Sequence, residues 1–133
     1  MKIVVGYIKT PEGAAALEAA IAEAKLRDGE LIIIHSMRGG ARDEEVQAGT
    51  YRDELEHVSQ RLASEGIPMR IRELVQGRSP AEDVVDVATS EGAGLIVIGL
   101  RKRSPVGKLV LGSNAQDILL ASTCPVLAVK AAG

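Results

Sequence analysis

The sequence predicts an α/β domain: a five-stranded, mostly parallel open sheet with helices on both faces. Three observations predict it. Apolar runs of strand length recur at residues 2–8, 31–34, 69–75, 95–98 and 126–129. The stretches between them carry helix caps and apolar residues at helical spacing. The apolar residues are almost all aliphatic, with neither Phe nor Trp and only two Tyr, which suits strands buried on both faces under helices. Strands that alternate with helices return to the same end of the sheet and therefore pair in parallel, giving the order βαβαβαβαβ. With 133 residues, 46% of them hydrophobic, the chain makes one domain over residues 1–133 and needs no metal or disulfide to complete a core.

Each element has its own signal. The first strand, 2–8, is interrupted by Gly6, and Thr10 with Pro11 supplies the cap and first turn of a helix. In that helix Leu17, Ile21 and Ala24 share one side, Lys25 and Arg27 lie near its carboxyl end, and Gly29 terminates it. The second strand, 31–34, opens at His35 and Ser36 into a charged, glycine-containing connection over 37–49, read as an exposed loop that partly joins the next helix. Tyr51, Leu55, Val58 and Leu62 then mark a helix face, and Gly66, Ile67 and Pro68 stop it. Residues 69–75 alternate between apolar and charged and predict a strand near a sheet edge. Ser79, Pro80 and Glu82 agree on a helix start, with Val84, Val85 and Ala88 packing inward. Asp83 and Asp86 on this helix are expected on a solvated face. Strand 95–98, a helix over 114–121 and strand 126–129 complete the chain.

Composition excludes several function classes. Sixteen basic against eighteen acidic residues leave a net charge of −2, which offers no broad attraction for nucleic acid or an anionic membrane. The scarcity of aromatic side chains removes the stacking platforms of single-strand binders. The apolar runs are too short to be membrane spans. One cysteine, Cys124, forms no intrachain disulfide, and no leader-like segment opens the sequence, so the expected compartment is the cytoplasm. His35 and His57 belong to no metal or nucleophile pattern, so neither a catalytic residue nor a metal site is assigned.

One stretch does carry chemistry. In LIVIGLRKRSPVGKLVLGS, residues 95–113, an apolar strand breaks at Gly99 into the basic run Arg101, Lys102, Arg103 and resumes structure at Gly112 and Ser113. Ser113 with Gln116 forms a capping-box pattern, and a helix N-terminus beside three cations is receptive to a phosphate or another small anion. Lys108 lies in the same stretch and is expected in water. In a doubly wound sheet the strand ends after Gly6, His35 and Gly99 gather at one crevice.

This stretch and its continuation, VLGSNAQDILLASTCPVLAV, resemble the universal stress protein family in its small single-domain form, and the resemblance covers nearly the whole chain. It implies an adenine-nucleotide alpha-hydrolase-like three-layer sandwich. The family's phosphate loop is written glycine, two residues, glycine, nine residues, glycine, then serine or threonine. Those positions fall here on Gly99, Lys102, Gly112 and Ser113, so that one glycine has become lysine. Lys102 either supplies a charged donor or fills the space the glycine leaves open. Nucleotide-binding members carry an aspartate at the end of the first strand where this chain has Ile8, which has no acceptor side chain.

The resemblance implies a stress-response regulatory or ligand-binding protein that takes ATP or AMP on Gly99, Arg101, Lys102, Arg103, Gly112, Ser113 and Asn114. Backbone groups at Ile8 and Ser36 would face the nucleoside, and magnesium would arrive only with a bound nucleotide. It also implies a homodimer through Val126, Leu127, Ala128 and Val129. The alternatives are a slow ATP hydrolase and a homodimeric interaction module that uses no nucleotide.

Overall fold

The structure is a computed structural model that describes residues 1–6, 10–36, 41–74, 79–100 and 113–131. The elements in chain order are β1 (Lys2–Gly6), α1 (Pro11–Arg27), β2 (Glu30–Ser36), α2 (Ala41–Ser64), β3 (Met69–Leu74), α3 (Pro80–Glu91), β4 (Leu95–Leu100), α4 (Ser113–Ala121) and β5 (Val126–Lys130). The strands form one five-stranded sheet in the order β3-β2-β1-β4-β5. Every neighbouring pair is parallel, as the alternation of strands and helices requires.

Alternate residues of the central strands enter two aliphatic cores. Ile3, Val5, Leu31, Ile33, Leu95 and Val97 face Leu17, Ala20 and Ile21 of α1 and Leu55 and Leu62 of α2. Val4, Ile32, Ile34, Ile96 and Ile98 face Val84, Val87 and Ala88 of α3 and Ile118 of α4. Two helices therefore cover each face. Fully burying one such side chain contributes about 1.5–3 kcal/mol, so the central strands supply most of the cohesion. β3 lies at one edge, where its alternation of apolar and charged residues places it, and β5 lies at the other.

Several element limits differ from the sequence reading. The connection over 37–49 is mostly helix, since α2 already begins at Ala41. Ala, Arg, Glu and Gln dominate its first turns, and the lone Gly49 costs only about 1 kcal/mol there. β2 continues through His35 and Ser36, which pair with Glu73 and Leu74 of β3 instead of opening a loop. β4 likewise runs on to Leu100, so Gly99 is a strand residue opposite Val129, and the turn comes later. α4 takes Ser113 as its first residue, where a cap in front of the helix was expected. Asp83 is buried, only 4% exposed, although a solvated face was expected.

Helix ends follow their chemistry. Thr10 accepts a hydrogen bond from the Gly13 amide through its hydroxyl, 3.0 Å, and Ser79 accepts one from the Glu82 amide, 3.2 Å. α3 ends at Gly92 in the left-handed conformation, φ 66°, and α1 ends at Asp28 with φ 52°. At the amino-terminal end of the sheet Glu91 binds Lys2, 3.1 Å, and Arg70, 2.9 Å. Arg70 also reaches Glu30, 2.7 Å, so one ion cluster joins α3 to β1, β2 and β3.

Candidate functional site

The opposite end of the sheet carries the cavity. The chain runs from β1 to β2 and β3 on one side and then crosses to β4 and β5 on the other, so a crevice opens between the carboxyl ends of β1 and β4. A cavity of about 150 Å³ occupies it. Gly6 ends β1 there, Ile34 comes from β2, and Ile98 and Gly99 come from β4. The rest of the wall belongs to the first turns of three helices: Glu12 and Gly13 of α1, Pro80 and Val84 of α3, and Asn114, Ala115 and Ile118 of α4. The N-termini of α1, α3 and α4 thus converge on one mostly apolar space. Unsatisfied amides and helix dipoles give such ends a positive potential.

The three ends differ in charge. α1 carries Glu12 and α3 carries Glu82 and Asp83 in the first turn, whereas α4 carries no acid there. Helix-end fields are therefore offset by carboxylates at α1 and α3 and left unopposed at α4.

Gly99 has a packing role that its sequence context did not reveal. A Cβ built on it would stand 2.6 Å from the carbonyl carbon of Glu12 and 3.0 Å from the Glu12 Cβ. The first turn of α1 therefore lies directly on β4, at a spacing that only glycine permits. Glu12 itself is 7% exposed. Ile8 offers no acid at the end of the first strand, whereas Glu12, four positions further on, stands at the cavity wall. The signal was the capped turn Thr10, Pro11, Glu12, Gly13 facing a glycine in β4, which only the three-dimensional pairing of α1 with β4 makes visible. Pro80 and Val84, expected as a first-turn and a packing residue of α3, also line the cavity, as do Ala115 and Ile118 of α4.

Of the expected site residues, Gly99 and Asn114 line the cavity and Ser113 opens the helix beside it. Ser36 ends β2. Ile8, Arg101, Lys102, Arg103, Lys108 and Gly112 lie outside the described residues.

His35 lies on the face covered by α1 and α2, apart from the cavity. It is buried and stands opposite Glu73, which Arg52 of α2 approaches at 3.6 Å. Burial lowers the imidazole pKa from 6.5, against the smaller raising effect of the Glu73 charge. Cys124 sits half-buried in the turn before β5. There the Ser122 hydroxyl accepts a hydrogen bond from the Cys124 amide, 3.1 Å, and donates one to its carbonyl, 2.7 Å. No group of three or more His, Cys, Asp or Glu side chains gathers around one point among the described residues. No helix among them is long and apolar enough to cross a membrane.

The topology and crevice define a doubly wound α/β domain with its open cavity at the switch between β1 and β4. Residues 1–130 match the model of the universal stress protein family. A universal stress protein of Mycolicibacterium smegmatis is 46% identical over 132 residues, covering 98% of each chain. The chain belongs to the universal stress protein family. Among solved structures, a universal stress protein from Archaeoglobus fulgidus superimposes with a TM-score of 0.81 at 37% identity, over 98% of both chains. A universal stress protein from the same organism, solved in complex with dAMP, gives a TM-score of 0.75 at 30% identity over 98% of both chains.

Proposed function

We propose that this protein binds an adenine nucleotide at the carboxyl end of its sheet and acts as a stress-response regulator, without efficient hydrolysis. The observation that carries this reading is the cavity where three helix N-termini meet residues of three strands at the topological switch. The dAMP complex of the Archaeoglobus fulgidus relative supports the ligand class. An apolar space of this size accepts a benzene-sized group, so one fragment of a nucleotide enters it and the remainder extends across the open end. The phosphate side then falls to Gly99, Ser113, Asn114 and Gly112, with Arg101, Lys102 and Arg103 supplying charge. Magnesium has a place in this scheme only as part of the bound nucleotide.

Calorimetry with AMP and ATP, with and without magnesium, tests the reading. Saturable binding with a dissociation constant below about 1 mM is expected, and no binding at that concentration rejects it. Release of phosphate from ATP above background, and its loss in Gly112→Ala, would move the assignment to a slow hydrolase. Replacing Lys102 with glycine restores the family's loop: tighter binding assigns the lysine a blocking role, and weaker binding a direct one.

The second reading, a homodimeric module, is favoured by β5. It is an edge strand whose outer backbone groups have no partner strand among the described residues, and Val126, Leu127 and Val129 are only half-buried while Ala128 is exposed. We propose antiparallel pairing of β5 with its copy. A monomer by light scattering at 100 μM, on the order of the concentrations at which weak dimers form, rejects it.

A further inference from the structure

We propose that the groove between α3 and α4 docks a cationic amphipathic helix of a partner protein. The proposal stands apart from the nucleotide reading, since the groove shares no lining residue with the cavity.

The groove measures about 460 Å³. Ala81, Val85, Leu120 and Ala121 give it an apolar lining, and Glu82 and Asp117 bring a carboxylate from each helix. Leu120 is 86% exposed, more than any other large apolar side chain among the described residues. A single exposed leucine is ordinary on a protein surface. Set between small residues in a groove, it offers an anchor to the apolar face of a partner helix.

The charge pattern names the partner's chemistry. α3 carries Glu82, Asp83, Asp86 and Glu91, α4 carries Asp117, and neither helix contains Lys or Arg. On the opposite face the acids are matched: Glu18 pairs with Arg61, Glu23 with Arg27 and Glu65 with Lys25. Asp86 also lines the groove and is engaged within the protein. Glu82 and Asp117 make no ion pair among the described residues, so theirs are the charges open to a partner.

These observations select one occupant. Two carboxylates with no basic residue on their own helices repel nucleic acid and anionic lipid and attract Lys or Arg. The walls are helices, whose backbone groups are bonded internally, so a partner strand finds no edge to extend and recognition falls to side chains. A helix with apolar residues at i, i+3 and i+4 and Lys or Arg beside them meets both requirements. It covers Leu120 and sets its cations against Glu82 and Asp117.

The test uses the full-length protein and a fluorescently tagged synthetic amphipathic helix of leucine and lysine, about four turns long. Two control peptides replace its lysines with glutamate or its leucines with serine. Saturable binding of the leucine–lysine peptide is expected at about 1–100 μM, with either control weaker by about tenfold or more. In a nitrogen–proton correlation spectrum the peptide is expected to move the amide signals of Val85, Asp117, Leu120 and Ala121. Leu120→Ser is expected to weaken binding about tenfold or more. The double variant Glu82→Gln, Asp117→Asn is expected to weaken it about three- to tenfold and to reduce its dependence on salt. All three positions are exposed, so these variants keep the fold, which circular dichroism and the unfolding midpoint check. Leu26→Ser, 78% exposed on α1, should bind as wild type does. No binding by wild type, equal binding of the lysine and glutamate peptides, full binding by Leu120→Ser or by the double variant, or an equal loss in Leu26→Ser overturns the proposal. Self-association of the protein that Leu120→Ser abolishes assigns the groove to a second copy and overturns it as well.

Discussion

The space a side chain would take at Gly99 is filled by the backbone of another element. Replacing Gly99 with alanine forces either α1 or β4 to move, since the contact at 2.6 Å is with main-chain atoms that cannot rotate away. The expected cost is about 1–3 kcal/mol in urea unfolding, accompanied by loss of ligand binding because the turn bearing Glu12 and Gly13 is displaced. A variant with unchanged stability would show that the turn yields freely. His35 makes a second prediction. Its folded pKa lies below 6.5 because burial disfavours the imidazolium. The unfolded chain therefore takes up the proton first, and stability present above pH 6.5 declines as the pH falls from there toward the folded value. Substituting His35 with Gln should flatten that part of the stability profile, measured by denaturation at pH 7.5, 6.5 and 5.5; an unchanged slope would place the titration elsewhere. At this scale the sequence disclosed that Gly99 was special, because a glycine ending an apolar run is a visible break. It did not disclose the reason, because Glu12 is far from Gly99 along the chain and reads as an ordinary first-turn acid.

Elements were legible where their ends are marked by local chemistry. Thr10 with Pro11 and Ser79 with Pro80 announce α1 and α3 in residues that touch one another, and both caps form as read. The start of α2 was less legible because two glycines precede it and no apolar period runs through its first turns, so propensity alone decided the matter. Strand lengths in β2 and β4 depend on the neighbour: His35 and Gly99 remain extended because β3 and β5 continue alongside them. The helix ends also give a directional prediction. Asp28 holds a left-handed conformation that costs most non-glycine residues about 1–2 kcal/mol. Asp28→Gly should raise stability by up to about 1 kcal/mol, whereas Ser79→Ala should lower it by about 1 kcal/mol. Thermal or urea midpoints check both, and a destabilised Asp28→Gly protein would mean that the aspartate makes a compensating contact.

Across the molecule, the parallel order follows from the alternation of strands and helices, and the edge positions of β3 and β5 follow from their mixed exposure. The cavity was legible only as a place, the carboxyl ends of the strands, since its wall is drawn from three strands and three helices. The opposite end is held by the ion cluster around Glu91. Hydrogen bonds from Arg70 and then Lys2 hold the Glu91 carboxyl down at about 2, against an ordinary value of 4.5. A depressed folded pKa contributes stability that is complete above 4.5 and lost as the pH falls toward 2. Glu91→Gln should therefore lower the unfolding midpoint at pH 7 and narrow the gap to wild type as the pH approaches 2. An equal gap at both pH values would refute the assignment.

That cluster joins β1, β2, β3 and α3 through residues that line no part of the cavity. The ion cluster and the cavity thus occupy opposite poles of the same sheet and share no residue. Substitutions in the first turns of the helices that line the cavity therefore leave every ion pair of the far pole with its partner.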